Sequence, residues 1–421
     1  MPRFVHLADL HLGYEQYGLK QRAVDLAAAF RQAAMAAAKE QPDFLLIAGD
    51  VFNSRTIDPT TLLMAVEVLR PLQEAGIPVV AVSGNHDRGW HGESQNWLAV
   101  LHRLGYLVHL DVSIRQGQLQ LHGPDSLSPS YVEFGDTRVV GLPYLGATLP
   151  RLVGQLAQAL AALPPCYTVL LTHAGLEGQM PGFTQPLRLE QLEPLRPYVQ
   201  YVALGHLHKP FAIDDWVYNP GSLEALGVDE WDFKGGWYLV ETSRLSDGWS
   251  HRVRFTPARR RPCARLRLDL GAAEGPEAAL QAAKRLAEDN AALAGKDAIV
   301  ELAIVGKLSF ALAALDTTAI VQVLEQRLRP LKVLVRNLLE IEGVGAIYDE
   351  HSSRDEIEQA VLEQAVANDQ RYHEHSTSLA NLALALKRMA IAGASDEAVY
   401  EYVLEQSASL GLSVRGDSDA D

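Results

Sequence analysis

The chain has 421 residues, 48% hydrophobic and 21% charged, an ordinary soluble composition but too long for one core, so two or three domains are expected. A formal net charge of −15 argues against a surface that coats nucleic acid throughout, though not against a local basic patch. No apolar run approaches the roughly 20 residues of a membrane span. "MPRFVHLADLHLG" lacks a signal-peptide layout, and two cysteines, Cys166 and Cys263, make a poor disulfide framework, so a cytoplasmic, reducing setting is expected.

The first elements alternate. "RFVHLA" reads as a strand and "LKQRAVDLAAAFRQAAMAAAKE" as a helix. "PDFLLIAGD" is a strand between Pro42 and Gly49, "TTLLMAVEVLRPLQEAG" a helix closed by Gly76, and "IPVVAVSGN" the next strand. This βαβαβ rhythm predicts an α/β core with buried strands. "RVVGLPY", "YTVLLTHAG", "VQYVALGHLH" and "GWYLVET" continue the strands. Between Arg252 and Arg267 the character changes: seven arginines and no acidic residue surround "PARRRP", which reads as a linker. "ARLRLDL", "PEAALQAAKRLAEDNAAL", "AIVELAIVG", a helix from Asp316 and "LKVLVRNL" then suffice for a small α+β domain. The end is helical, with Leu379, Leu382, Ala383, Leu386, Met389 and Ala390 in an apolar stripe. "RGDSDAD" closes the chain as an expected disordered tail.

Polar residues gather where apolar runs stop. Asp9 and His11 follow the first strand, Asp50 the second, and Asn85 with His86 the third. His173 follows a later strand, and His206 with His208 another. In a parallel α/β sheet these ends share one edge, outside which ligands sit. Each His taken singly is more often a polar cap than a ligand; five such segments after five apolar runs are a constellation. His with Asp and no nearby Cys suits Mn²⁺, Fe²⁺ or Zn²⁺ rather than a thiolate cluster. Alternation in "DLH" and "HLH" aims each pair to one face if the chain is extended. Seven candidate ligands, Asp9, His11, Asp50, Asn85, His173, His206 and His208, exceed what one tetrahedral ion uses. Two ions roughly 3.5–4 Å apart would fit, and such pairs activate water and clamp a phosphate. His86 then reads as a proton donor or charge stabiliser, with Asp87 fixing its tautomer.

The order D-x-H, GD, GNHD, H, GHLH, carried by "HLADLHLG", "LLIAGDVFN", "VSGNHD" and "GHLHKP", resembles the calcineurin-like metallophosphoesterase superfamily. "NPGSLEALG" and "GGWYLVE" make it most similar to the Mre-eleven/SbcD group of DNA double-strand-break repair nucleases. The resemblance covers about residues 1–260. It implies an α/β metallophosphoesterase sandwich over 1–261, a small α+β DNA-capping domain over 262–345, and C-terminal helices over 346–421 that dock on an ATPase partner.

It also implies two Mn²⁺, with Mg²⁺, Fe²⁺ or Zn²⁺ compatible. The seven residues named above would be the metal ligands, and His86 the catalytic histidine. Duplex DNA would be cut 3′ to 5′ and single strands endonucleolytically. A homodimer working with an SMC-like coiled-coil ATPase of the SbcC type is the implied setting, with dimer contacts on helices near 60–74 and 93–104. Some members carry a histidine after the GD-x-F segment. Asn53 stands there in this chain and cannot donate a proton as imidazolium does, so endonuclease activity is expected to trail exonuclease activity. Arg259, Arg260 and Arg261 are the candidate DNA contacts, against the reading that they are solvated linker charges. A phosphoesterase for nucleotides or phosphoproteins, and a mainly architectural DNA-end tether, are the alternatives.

Overall fold

A computed structural model describes residues 2–89, 95–180, 187–246, 248–340, 354–367, 372, 375–391 and 395–409. The expected tail and the expected boundary at 345/346 lie outside these residues. In chain order the strands are β1 (Arg3–Leu7), β2 (Phe44–Ile47), β3 (Val79–Ala81), β4 (Val108–His109), β5 (Ser113–Arg115) and β6 (Gln118–Gln120). Then come β7 (Tyr131–Phe134), β8 (Thr137–Leu142), β9 (Tyr167–His173), β10 (Tyr201–Gly205), β11 (Phe211–Ile213) and β12 (Val217–Asn219). β13 (Gly236–Leu245), β14 (Gly248–Pro257), β15 (Cys263–Asp269), β16 (Ile299–Lys307) and β17 (Lys332–Glu340) complete them. The helices are α1 (Lys20–Lys39), α2 (Pro59–Glu74), α3 (Trp97–Arg103), α4 (Leu149–Ala161), α5 (Leu189–Leu192), α6 (Pro276–Asp289), α7 (Thr317–Leu328), α8 (Arg354–Ala367), α9 (Ser376–Ile391) and α10 (Asp396–Ser409). Two compact units emerge: Met1–Leu266 with Leu286–Leu302 and Val321–Val335, and Arg267–Arg285 with Ala303–Ile320 and Arg336–Asp421.

The first unit stacks two six-stranded sheets, ordered β14-β13-β1-β2-β3-β4 and β11-β12-β10-β9-β8-β7. β1 to β4 run parallel, as do β8, β9, β10 and β12, so both sheets send their strand ends the same way within each layer. Side-chain alternation separates three cores. Phe44 and Leu46 face inward and join Phe4, Val80, Val169, Leu171 and Tyr201 between the sheets. Leu45 and Ile47 face outward onto Phe30 and Ala33 of α1 and Leu69 and Leu72 of α2. On the other side Val140, Leu170 and Val202 pack on Val153, Leu156 and Leu160 of α4. The result is a four-layer sandwich, helix on sheet on sheet on helix, whose strands are buried on both faces and therefore read as unbroken apolar runs.

Local chemistry sets the helix starts. Asp58 caps α2, accepting from the Thr61 backbone N–H at 3.0 Å, with Pro59 at the first helical position. Asn96 caps α3 in the same way through Ala99. The later strands form a three-stranded sheet ordered β15-β16-β17. Within the second unit, α9 buries Ala380 and Leu384. The stripe expected from sequence is rotated slightly from that face: Leu379, Leu382, Leu386 and Met389 are half-buried and Ala390 is exposed. No helix among the described residues is long and apolar enough to cross a membrane.

Candidate metal centre

All seven sequence-derived ligand candidates, and His86, reach the same edge of the sandwich. They come from both sheets, not one: β1, β2 and β3 supply Asp9, His11, Asp50, Asn85 and His86, while β9 and β10 supply His173, His206 and His208. Asn85 Oδ1 lies 3.1 Å from His173 Nε2, and ligand atoms of the others fall into three overlapping groups, each within 4.8 Å: Asp9–His11–His208, His11–Asp50–His86 and Asp50–His173–His206.

The backbone reaches this geometry under strain. Asp9, His11, Asp50 and His206 have φ of 54°, 45°, 50° and 89°, a region non-glycine residues rarely occupy. This corrects the alternation argument for "DLH": Asp9 and His11 are not an extended pair, and left-handed turns bring them together. Hydrogen bonds hold the turns. The Leu10 and His11 N–H groups both donate to the Asp50 carbonyl, at 2.9 and 3.0 Å, and Leu12 N–H donates to Val51. Each carboxylate is in turn fixed by a backbone N–H from elsewhere, Asp9 by His206 at 2.9 Å and Asp50 by His86 at 2.9 Å. Two glycines make room. A Cβ on Gly84 would lie 2.0 Å from Asp50 Oδ1, and one on Gly49, whose φ is +83°, would lie 2.3 Å from the His173 ring.

Tautomers follow from the outward-facing nitrogens. His173 Nδ1 donates to the Ala48 carbonyl at 2.7 Å, His86 Nδ1 to the Asn53 carbonyl at 2.8 Å, His11 Nδ1 to Asn53 Oδ1 at 3.1 Å, and His208 Nδ1 to Glu230 Oε1 at 2.6 Å. In the neutral ring, each bond leaves the lone pair on Nε2. Asn53, which sequence reading treated as a lost proton donor, thus orients two histidines. Asp87 does not touch the His86 ring, which corrects the expected tautomer role. Its carboxylate accepts from Val51, Phe52 and Gly84 N–H groups and ties the β2 and β3 loops together.

Electrostatics bears the mark of a site built for cations. His173 Nε2 faces three acceptors, Asn85 Oδ1 at 3.1 Å, Asp50 Oδ2 at 3.2 Å and His206 Nδ1 at 3.2 Å. His11 Nε2 is buried without a hydrogen bond, 3.6 Å from Asp50 Oδ2. Lone pairs turned on one another are costly unless a proton or cation lies among them. Burial pushes Asp9 up to about 6 despite His173 and His208 nearby. Burial also acts on Asp50, but His173 and His11 outweigh it and hold that carboxyl well below the usual range. Burial drives His11 and His206 down to about 3, keeping them neutral, the form that binds metal. For His173 burial is outweighed by Asp50, which pulls it up to about 9. The donor set, carboxylate and imidazole without thiolate, fits two hard or borderline divalent ions.

The arginine expectation is corrected in part. Arg260 is half-buried, with one guanidinium nitrogen on the Phe233 carbonyl at 2.5 Å and another on the Ser222 carbonyl. Arg261 makes a two-pronged ion pair with Asp25 at 2.5 and 2.7 Å. Both are committed inside the protein; Arg259 is exposed. Sequence reading also missed Glu230 and Tyr144. Tyr144 follows β8, 5.3 Å from the His206 ring, and lines a cavity of about 470 Å³ with His173, Glu177, Arg188, Gln191 and His206. The apolar run before Tyr144 was the available signal; for Glu230 there was none.

Comparison with known proteins agrees with this geometry. The family model for the calcineurin-like phosphoesterases matches residues 2–210. The chain is 29% identical over 283 residues to the DNA double-strand break repair protein Mre11 of Aeropyrum pernix, covering 64% of each. It is 32% identical over 234 residues to that of Archaeoglobus fulgidus, covering 54% of this chain and 51% of the relative. With that of Saccharolobus solfataricus it shares 28% identity over 254 residues, 58% of this chain and 61% of the relative. The chain thus spans between half and two-thirds of the length of these relatives. Residues 2–210 thus carry a calcineurin-like phosphoesterase domain.

Proposed function

We propose that the protein is a Mn²⁺-dependent DNA nuclease of double-strand-break repair. The observation that carries this reading is the convergence of seven donors and His86 on one buried edge, with an unpartnered His11 Nε2 among them. Asp9, His11 and His208 would hold one cation and Asp50, Asn85, His173 and His206 the other. When bound, such a pair makes water nucleophilic at neutral pH and neutralises a phosphodiester. The protein's own part is positional. The Asn53 carbonyl holds His86 Nδ1–H and leaves Nε2 to face a phosphate, where the ring in its imidazolium form donates the Nε2 proton to the leaving 3′ oxygen or stabilises developing charge. The name of the archaeal relatives, which match 64%, 54% and 58% of this chain, supports DNA as the substrate.

The finer reading follows the same logic: 3′-to-5′ exonuclease action on duplex DNA, with weaker single-strand endonuclease action because of Asn53. We propose a homodimer through α2 and α3, supported by Leu63 and Leu104, each 58% exposed. An SMC-like coiled-coil ATPase as partner, capping by residues 262–345, docking by the terminal helices and a reducing cytoplasmic setting complete it. Cys166 and Cys263 are free thiols, in keeping with that setting. Degradation of end-labelled duplex DNA by the Mn²⁺-loaded protein tests the proposal, with a phosphoprotein and a cyclic nucleotide as comparison substrates. His86→Asn should lower the rate roughly 10²–10⁴-fold with Mn²⁺ binding kept. Faster turnover of either comparison substrate would overturn DNA as the substrate, and an unaffected variant would remove His86 from the chemistry.

A further inference from the structure

We propose that Glu230 orients His208 for cation binding, and that Arg260 fixes Glu230 by closing the loop that carries it. The inference rests on the two-cation reading above.

Glu230 ends a short 3₁₀ turn, Val228–Glu230, within the excursion between β12 and β13. Its Oε1 takes the Nδ1 proton of His208 at 2.6 Å, which fixes both the tautomer and the plane of the ring. Its Oε2 accepts from the Leu226 N–H at 2.8 Å, so the carboxylate cannot swing away. The turn is anchored from another element, since the Val228 N–H donates to the Tyr17 hydroxyl at 2.8 Å. A ligand histidine backed by a carboxylate is held in direction and made a better donor.

The arginine-rich linker supplies the closure. The Glu230 loop departs at Ser222 and returns at Phe233, and the Arg260 guanidinium bridges the carbonyls of those two residues. Space is reserved for it: a Cβ on Gly235 would lie 2.3 Å from an Arg260 nitrogen and 2.0 Å from the Ser222 carbonyl. Arg260 Nε is buried with no hydrogen-bond partner, a costly arrangement for a cation unless the carbonyls it joins matter. Its neighbour works on the same loop, for the Arg261 N–H donates to Glu224 Oε1 at 2.8 Å. Glu224 Oε2 is taken by the fully buried Arg22, also at 2.8 Å. Arg260 and Arg261, which looked like part of a phosphate-facing patch, thus clasp the loop behind His208.

Calorimetric Mn²⁺ titration of the full chain tests this, with the melting temperature of the chelated protein beside it. The wild type should take up two Mn²⁺. Glu230→Ala should weaken one site about 10–100-fold and leave the other within twofold. Glu230→Gln still accepts from Nδ1 and should restore part of the affinity. Arg260→Lys keeps the charge but cannot span two carbonyls, and should weaken the same site about 10-fold. Unchanged affinities in Glu230→Ala, with only the melting temperature lowered, would reduce Glu230 to a structural role and overturn the proposal. Should the alanine variant not fold, ¹⁵N spectra of wild-type His208 decide: a proton on Nδ1 supports the assignment, and one on Nε2 overturns it. A wild type that binds fewer than two Mn²⁺ would defeat the two-cation reading, and this inference would fall with it.

Discussion

His6 and His173 are both fully buried, yet they belong to regions of opposite character. His6 lies inside β1 in the sandwich interior, where its two nitrogens meet the Tyr201 hydroxyl and the Leu204 carbonyl, each at 3.0 Å. Each ring nitrogen has a partner, the ring neighbours are Tyr201 at 5.8 Å and Tyr238 at 6.1 Å, and the backbone is regular strand. His173 ends β9 at the carboxyl edge, where one nitrogen faces three acceptors and neighbouring loops hold left-handed residues. Burial alone does not mark function, since His6 is as buried as His173 and has a partner on each ring nitrogen. The edge leaves groups in conflict that a proton on His173 or a bound cation reconciles, and it keeps them there with backbone hydrogen bonds.

The contrast predicts that small changes at the edge damage chemistry and larger ones in the interior damage stability. Gly84→Ala places a methyl group where Asp50 Oδ1 now sits. We expect the rate on end-labelled duplex DNA to fall by about 10²-fold or more, with Mn²⁺ affinity lowered and the urea midpoint little changed. Wild-type kinetics in that variant would mean that the carboxylate has room the structure does not show. Leu46→Ala, in the core between the sheets, is the interior counterpart. It should cost about 2–5 kcal/mol in urea unfolding while Mn²⁺ stoichiometry stays at two. Loss of metal binding at equal cost would show the two regions to be one cooperative unit.

Legibility follows the same divide. The cluster of candidate donors could be read because each sits after a buried strand, and a parallel sheet gathers those ends without further information. Asp9, Asp50 and His173 needed only the positions where apolar runs stopped. What could not be read was what each polar group turns toward. Asn53 counted as a missing imidazole, and its two hydrogen bonds to His11 and His86 depend on a loop path no spacing encodes. Arg260 and Arg261 looked alike to Arg259, because net charge per segment carries no direction. Substitution separates them. Arg259→Ala, if it meets a phosphate, should flatten the dependence of log binding constant on log salt by about 0.9. Arg261→Ala should leave that slope alone and lower stability by about 1–3 kcal/mol through Asp25. Equal effects on the slope would return Arg261 to the DNA surface.

The gentlest test of the interior–edge distinction is pH. Burial holds His6 down at about 3 against an ordinary 6.5, so between those values the unfolded chain binds a proton the folded chain refuses. Stability must therefore fall as pH drops through that window. His173 is shifted the other way, to about 9, with Asp50 overcoming burial. Its contribution is fully present below 6.5 and is lost as pH rises through 9, because the folded chain alone keeps the proton there. Urea midpoints of the chelated protein should thus decline on both sides of neutrality. His6→Gln should relieve the acid side only, since glutamine can serve both the Tyr201 hydroxyl and the Leu204 carbonyl. His173→Gln should relieve the alkaline side only. Mn²⁺ should reverse the alkaline decline in the wild type, because cation binding strengthens as the imidazole gives up its proton. An alkaline decline that survives both His173→Gln and Mn²⁺ would place its cause elsewhere, and would remove the protonic half of the argument that this edge is poised for a cation.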